Sequence, residues 1–255
     1  MFPNLLTIGP VTIATYGFML LAAFAATLAW TWFEARRLGL DKGLLFPGLA
    51  FALFLGAILG GRLALTPSNW GLFLERPWTL FVGWRGVQSS LGSAVLATAF
   101  AALYLRLKRQ PVLTWMDAFA PGSALGAGML RIGCFSAGCC YGTACDLPWA
   151  VTFRDPASLA PLDTALHPTQ LYASAAGFAT FGLLLVMRGR LHGPGRLMGL
   201  FLACYSSYRL VIDFFRADHS PLLGPLSAVQ LGLMAGLALG LALLLRPVRP
   251  ASSET

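Results

Sequence analysis

Four residues near the C-terminal third, Tyr205, Arg209, Asp213 and Arg216, are spaced i, i+4, i+8 and i+11. On a helix they share an arc of under about 90°. One carboxylate among two guanidiniums leaves the stripe net positive. Arginine is suited to planar, bidentate recognition of phosphate or carboxylate. The surrounding sequence is apolar, and ionisable groups in such segments are costly and usually paired or functional. In a lipid setting the abundant anion is the phosphodiester of a phospholipid. Arg131 and Arg62 also sit within or at the end of apolar runs. Snorkelling to the interface is the competing explanation, stronger for Arg62 and Arg216 than for Arg131 and Arg209.

Arg131 opens Arg-Ile-Gly-Cys-Phe-Ser-Ala-Gly-Cys-Cys-Tyr-Gly-Thr-Ala-Cys, residues 131–145. Its small residues suggest a tight loop with Arg131 at the base rather than a continued helix. His167-Pro168-Thr169-Gln170-Leu171-Tyr172 follows, with Pro168 suited to a first helical turn. His167 could accept a proton near neutrality, or simply make a hydrogen bond at a helix start. Tyr141 and Tyr172 equally suit an interfacial aromatic belt. Three readings of Cys134, Cys139, Cys140 and Cys145 stay open. Disulfides suit an oxidising compartment; zinc is disfavoured by spacing unlike Cys-x2-Cys; the third is inert thiols. At least one disulfide or structural thiols is the preferred expectation over catalysis. Cys204 reads as packing.

The elements that must hold these residues follow from composition. The chain has 255 residues, 57% hydrophobic and 11% charged, with a mean hydropathy of +0.70. Soluble domains carry about 25% charged residues. A soluble enzyme, a disordered chain and an ordinary nucleic-acid binder are excluded; the net charge of +8 suits the basic cytoplasmic loops of a membrane protein. Seven runs reach or approach the roughly 20 residues needed to cross a bilayer: 11–33, 44–65, 91–105, 112–130, 168–187, 197–215 and 226–245. The strip 81–90 could dip into the membrane. Backbone groups in lipid must pair internally, so the spans are helices. The expected class is all-α: a polytopic helical membrane protein of about seven transmembrane helices. Residues 1–245 form one domain and 246–255 a short cytoplasmic tail.

Arg36, Arg37, Lys42, Arg106, Lys108, Arg109, Arg188, Arg190, Arg196, Arg246 and Arg249 fall on one side of this arrangement. By the positive-inside rule the N-terminus is outside and the C-terminus inside. The opposite loops hold Arg76, Arg85 and Arg154. Residues 1–10 lack a basic n-region, so no cleavable signal peptide is expected. His219 lies in an outer loop, and His192 lies on the inner side. No internal repeat argues for a small-anion transporter, a third reading of the arginines.

In order along the chain, Tyr16-Gly17, Gly60-Gly61-Arg62-Leu63, the Arg131–Gly142 segment, His167–Tyr172, the Tyr205–Arg216 stripe and Ser227-x2-Gln230 resemble motifs of the prolipoprotein diacylglyceryl transferase family. The likeness covers nearly the whole chain. Cys134, Ala137 and Cys139 stand where the family signature has Asn, Asn and Glu. Leu91-Gly92-Ser93, after Trp84-Arg85-Gly86, stands where the family has His-Gly-Gly. The resemblance implies a multi-pass enzyme of the bacterial inner (plasma) membrane. It would move diacylglyceryl from phosphatidylglycerol to the lipobox cysteine of a preprolipoprotein signal peptide and release glycerol phosphate. Arg131, Arg209, Tyr205 and His167 would be catalytic. Tyr16, Arg62, Gln170, Tyr172, Asp213, Arg216 and Gln230 would bind substrate. No cofactor, metal or nucleic acid is implied. A diverged relative that binds phospholipid or lipidated peptide without turnover is the alternative, and Leu91 points to it.

Overall fold

The structure is a computed structural model, and it describes residues 4–8, 11–40, 45–63, 90–217, 221–223 and 226–247. Among these, seven helices dominate: α1 Thr15–Arg37, α2 Leu45–Leu63, α3 Ser90–Leu107, α4 Val112–Ala137, α5 Thr169–Met187, α6 Arg196–Asp213 and α7 Ala228–Leu245. Three short antiparallel pairs accompany them: β1 Asn4–Ile8 with β2 Val11–Ala14, β3 Val151–Thr152 with β4 Ala165–Leu166, and β5 Pro221–Leu223 with β6 Leu226–Ser227. Helices α1, α2, α5 and α7 are long and apolar enough to cross a membrane. The all-α membrane class stands. The expected dip at 81–90, and Arg76, Arg85, Lys42, Arg249 and His219, lie outside the described residues, save Ser90, which opens α3.

The chain divides into two compact units, residues 1–34 with 116–255, and residues 35–115. In the second unit α2 and α3 pack as an antiparallel pair. A Cβ on Gly56 would stand 2.7 Å from the backbone of Ala97. The Tyr104 hydroxyl donates to the Leu45 carbonyl at 3.2 Å. Small residues allow this approach where lipid supplies no hydrophobic drive between helices.

In the first unit α6 and α7 meet in the same way: a Cβ on Gly240 would lie 2.7 Å from the Ala203 nitrogen. Hydroxyls turned into the bundle peg other helices together. Thr27 Oγ1 of α1 donates to the Gly122 carbonyl of α4 at 3.0 Å, and Ser174 Oγ of α5 donates to Gly128 O at 2.9 Å. The outside of the bundle is apolar, with Leu21 66%, Val186 56% and Leu245 75% exposed. That is the surface a hydrocarbon solvent requires.

Polar contacts show which ends lie together. Arg188, after α5, pairs with the buried Glu34 near the end of α1. Arg196 Nε at the start of α6 donates to Leu244 O at the end of α7, 3.0 Å. Asp117, near the start of α4, accepts from the Gly195 and Met198 amides at 2.6 and 2.9 Å. An anion there satisfies the free amides and positive dipole of the α6 N-terminus. One end of the first unit therefore gathers Arg188, Arg190, Arg196 and Arg246. Tyr16, Arg131, His167, Arg209 and Gln230 occupy the other end.

The segment 131–145 departs from expectation. Helix α4 runs on through Ala137, so Arg131 sits within it rather than at a loop base. Gly133 is small because α1 is close: a Cβ there would lie 2.7 Å from Met19 Cβ. The loop begins at Gly138, whose φ of +72° suits glycine. From there to Pro168 the chain builds a small cap around Phe153, Ala160 and Leu166, joined by Phe135, Tyr141 and Val151. Likewise α1 starts at Thr15, because Val11–Ala14 pairs with Asn4–Ile8 as a hairpin.

Candidate active site at one end of the first unit

Helix α6 ends at Asp213, and Phe214–Arg216 leaves it in a tight turn, with the Arg216 amide donating to Asp213 O at 3.2 Å. Arg216 thus lies beyond the helix that carries Tyr205, Arg209 and Asp213. Its guanidinium still turns back. Arg209 Nη1 is 3.2 Å from Asp213 Oδ1, and Arg216 Nε is 3.9 Å from the same oxygen. Arg209 and Asp213 are buried and Arg216 nearly so. Two cations share one carboxylate, which preserves the net positive charge read from the stripe.

Arg131 comes to this cluster from α4. It interacts electrostatically with Tyr205 and Tyr208, and Arg209 feels both Arg131 and Arg216. Arg131 forms no ion pair among the described residues. Tyr208 was not singled out in the sequence, although it lies three residues after Tyr205 on the same helix face. Tyr16, in the first turn of α1, joins Arg131 and the cysteines Cys134, Cys139 and Cys140 from the other side.

The loop after α4 is stitched to three other segments. The Gly142 amide donates to His167 O at 3.1 Å, Thr143 N to Phe215 O at 2.8 Å, and Ala217 N to Tyr141 O at 3.3 Å. Gly142 forms an antiparallel bridge with Arg216. A Cβ on Gly142 would lie 2.5 Å from His167 Cβ and 2.8 Å from Phe215 O, so only glycine fits between these strands. Helix α5 holds the same loop by its first turn. Thr169 Oγ1 donates to Cys140 O at 2.8 Å, and Gln170 Nε2 donates to Cys139 O at 2.9 Å. Gln170 is 1% exposed, and its Oε1 has no partner. A buried acceptor left unsatisfied is rare and calls for a reason.

His167 is fixed by its backbone, and its ring meets Phe215 at a tilt and Tyr172 edge-on, at 5.1 and 6.3 Å between centroids. Its Nδ1 is buried without a hydrogen-bond partner. The helix-start side-chain bond considered for it is not made. Tyr172 hydroxyl accepts from Trp149 Nε1 at 2.7 Å. Gln230 is engaged in a capping box at the start of α7: its Oε1 accepts from Ser227 N at 3.0 Å, and its amide donates to Ser227 Oγ at 3.1 Å. Arg62 belongs to the second unit, in the last turn of α2. There Gly60 meets Gly92, so Arg62 shares its end of the α2–α3 pair with Leu91.

The five cysteines carry free thiols. The Sγ atoms of Cys134, Cys139 and Cys140 lie within 4.8 Å of one another; Cys145 is outside this group. Hydrogen bonds from Cys134 and Cys139, with Arg216 and Arg131 nearby, draw the Cys140 thiol far below its ordinary range. Hydrogen bonding within the trio, together with burial, pushes the Cys139 thiol upward, and its Sγ donates to the Cys134 carbonyl at 3.7 Å.

Arginines, tyrosines and an imidazole nitrogen without a hydrogen-bond partner thus gather at one end of apolar helices, an arrangement able to hold an anionic group. A prolipoprotein diacylglyceryl transferase family model matches residues 3–246. The chain belongs to that family. Relatives named phosphatidylglycerol–prolipoprotein diacylglyceryl transferase agree with it along most of their length. The Trichormus variabilis protein is 32% identical, over 94% of this chain and 87% of its own. The Photobacterium profundum protein is 33% identical, over 86% and 82%. The Clostridium tetani protein is 30% identical, over 90% and 91%.

Proposed function

We propose that this chain transfers the diacylglyceryl group of phosphatidylglycerol to the lipobox cysteine of a preprolipoprotein. The observation that carries the reading is the convergence of Arg131 on Tyr205 and on the Arg209–Asp213–Arg216 group, within a family whose relatives bear that activity in their names. The substrate phosphodiester sits against Arg131 and Arg209, with Tyr205 adding a hydrogen bond. As the bond from the glyceryl carbon to phosphate oxygen breaks, negative charge grows on the departing glycerol phosphate. Fixed donors aimed at that charge supply the main stabilisation, about 10²–10³-fold for a single donor. The acceptor thiol must lose its proton, because the thiolate is the nucleophile. His167, with Nδ1 unspent, is the acceptor assigned to that proton. Gln170 Oε1 offers an acceptor for a peptide amide beside the loop.

The protein is proposed to lie in the bacterial inner membrane with all seven helices spanning, N-terminus out and C-terminus in. Residues 1–245 are taken as one transmembrane domain. The gathering of Arg188, Arg190, Arg196 and Arg246 at one end supports this orientation, which puts the arginine site in the outer leaflet.

The second reading is lipid binding without turnover. Leu91 at the family's histidine position favours it, because leucine cannot take a proton. Purified protein given phosphatidylglycerol and a lipobox peptide separates the two. Transferase activity predicts glycerol phosphate release that Arg209→Ala abolishes and His167→Ala lowers. Lipid binding with no release by the parent protein would leave only the second reading. Complementation of a strain depleted of its own transferase is the cellular counterpart.

A further inference from the structure

Cys134, Cys139 and Cys140 are not used by the reaction as drawn above, yet they stand beside it. Their sulfurs converge within 4.8 Å of one another. Three thiolates on one tetrahedral zinc at about 2.3 Å would sit about 3.8 Å apart, a spacing within reach of small side-chain rotations. We propose that these three cysteines form a site for a zinc-class metal ion whose fourth position takes the acceptor cysteine of the lipoprotein precursor. This rests on the transferase reading.

Four observations support it. First, the frame is fixed. Cys134 lies in the last turn of α4, the Cys139 amide bonds back to Cys134 O at 3.1 Å, and Thr169 and Gln170 hold the Cys140 and Cys139 carbonyls. Second, Cys140 has a φ of +60°. A non-glycine residue there costs on the order of 1–3 kcal/mol and persists where the surroundings impose it; here the strain brings the third sulfur to the other two. Third, three thiolates and a divalent ion carry one net negative charge, and Arg131 and Arg216 are both within electrostatic reach of Cys140. Fourth, no other Cys, His, Asp or Glu joins the group among the described residues. Three protein ligands with an open position is the arrangement of catalytic rather than structural zinc.

The chemistry answers the departure at Leu91. A thiol that coordinates such a metal ion is deprotonated outright, so activation does not depend on a base at that position. The acceptor S–H binds the metal and its proton passes to solvent, through His167 or directly. The sulfur electron pair then attacks the glyceryl carbon that bears the phosphate. The C–S bond forms as the C–O bond breaks, its electron pair leaving on glycerol phosphate against Arg131 and Arg209. The thioether product is uncharged and a far weaker ligand than a thiolate, so it leaves the metal. No oxidant or reductant enters.

The test uses the full chain, purified in detergent with its thiols reduced and metals stripped, then given Zn²⁺ or Co²⁺ alone. One Zn²⁺ should remain per chain after gel filtration. The Co²⁺ form should show thiolate-to-cobalt charge transfer and tetrahedral visible bands. A lipobox peptide should shift those bands, and the same peptide with serine for its cysteine should not. Cys139→Ser should lose the stoichiometric metal while Cys145→Ser retains it. A reduced parent protein that holds no Zn²⁺, or cobalt bands indifferent to the cysteine peptide, would overturn the proposal without reliance on any variant. Glycerol phosphate release undiminished by complete metal removal would overturn it while leaving the transferase reading intact. Peptide-dependent cobalt bands with no release would sustain the metal site and sink the transferase reading instead.

Discussion

Asp213→Asn removes a carboxylate that two buried guanidiniums share. Arg209 lies 3.2 Å and Arg216 3.9 Å from its Oδ1. At an effective dielectric of about 20 these separations correspond to about 5 and 4 kcal/mol of attraction, before desolvation is subtracted. Breaking a buried pair by deleting one partner costs about 3–5 kcal/mol, because the remaining charge stays buried. Here two cations remain, with Arg131 beside them. For a chain of this size each kcal/mol moves the midpoint by ~2–4 °C, so a drop of roughly 6–20 °C is expected in neutral detergent. An anionic headgroup supplies the missing charge. Phosphatidylglycerol should therefore raise the midpoint of the variant more than that of the parent protein, and phosphatidylcholine should raise both equally. The assay is thermal unfolding of the full chain followed by intrinsic tryptophan fluorescence. A midpoint within about 2 °C of the parent would show that Asp213 does not balance these arginines. Equal rescue by the two lipids would show that the cluster is not an anion site.

Gly142→Ala should abolish activity and impair folding, since its Cβ would lie 2.5 Å from His167 Cβ and 2.8 Å from the Phe215 carbonyl; normal yield and turnover would contradict the stitched loop. Ser227→Ala removes the side-chain half of the α7 capping box and should cost about 1 kcal/mol, read as a small fall in the unfolding midpoint with turnover preserved. Sidedness is checked at Cys145, outside the three-thiol group: a membrane-impermeant thiol reagent should label it in intact cells after reduction, and labelling confined to permeabilised cells would reverse the orientation.

Much of the fold is legible because lipid leaves few choices. A run of apolar residues long enough to cross must be helical, and six of the seven expected runs fall within a few residues of α1, α2, α3, α5, α6 and α7 at both ends. The errors come where apolarity hides a second signal. Val11-Thr12-Ile13-Ala14 is rich in β-branched residues and forms a hairpin strand, but its hydropathy merges with that of α1. The glycines of 131–138 read as a turn, whereas Gly133 serves the approach of α1 and only Gly138 turns the chain. A glycine selected for closeness and one selected for positive φ look alike in sequence. Asp117 gives no such signal for the same kind of reason: its partners, the amides of Gly195 and Met198, are backbone groups 78 and 81 residues away.

The site was legible in proportion to how local its geometry is. Tyr205, Arg209 and Asp213 share a face because the helix repeat dictates it, and the buried Arg209–Asp213 pair follows from i, i+4 spacing. Arg216 kept the arc by a different route, a turn that folds its guanidinium back on Asp213. The gathering of Arg131, Tyr16, His167 and Gln170 depends instead on bridges such as Gly142 to Arg216, whose register has no period to read. The cysteines show the limit most clearly. Their spacing lacks a Cys-x2-Cys pair and gives no sign of how close the three sulfurs come. A helix end supplies Cys134, and a loop forced into positive φ supplies Cys139 and Cys140. Two carbonyls anchored on the first turn of α5 then hold that loop in place. Three sulfurs converge through backbone constraints drawn from separate segments, which a linear spacing cannot express.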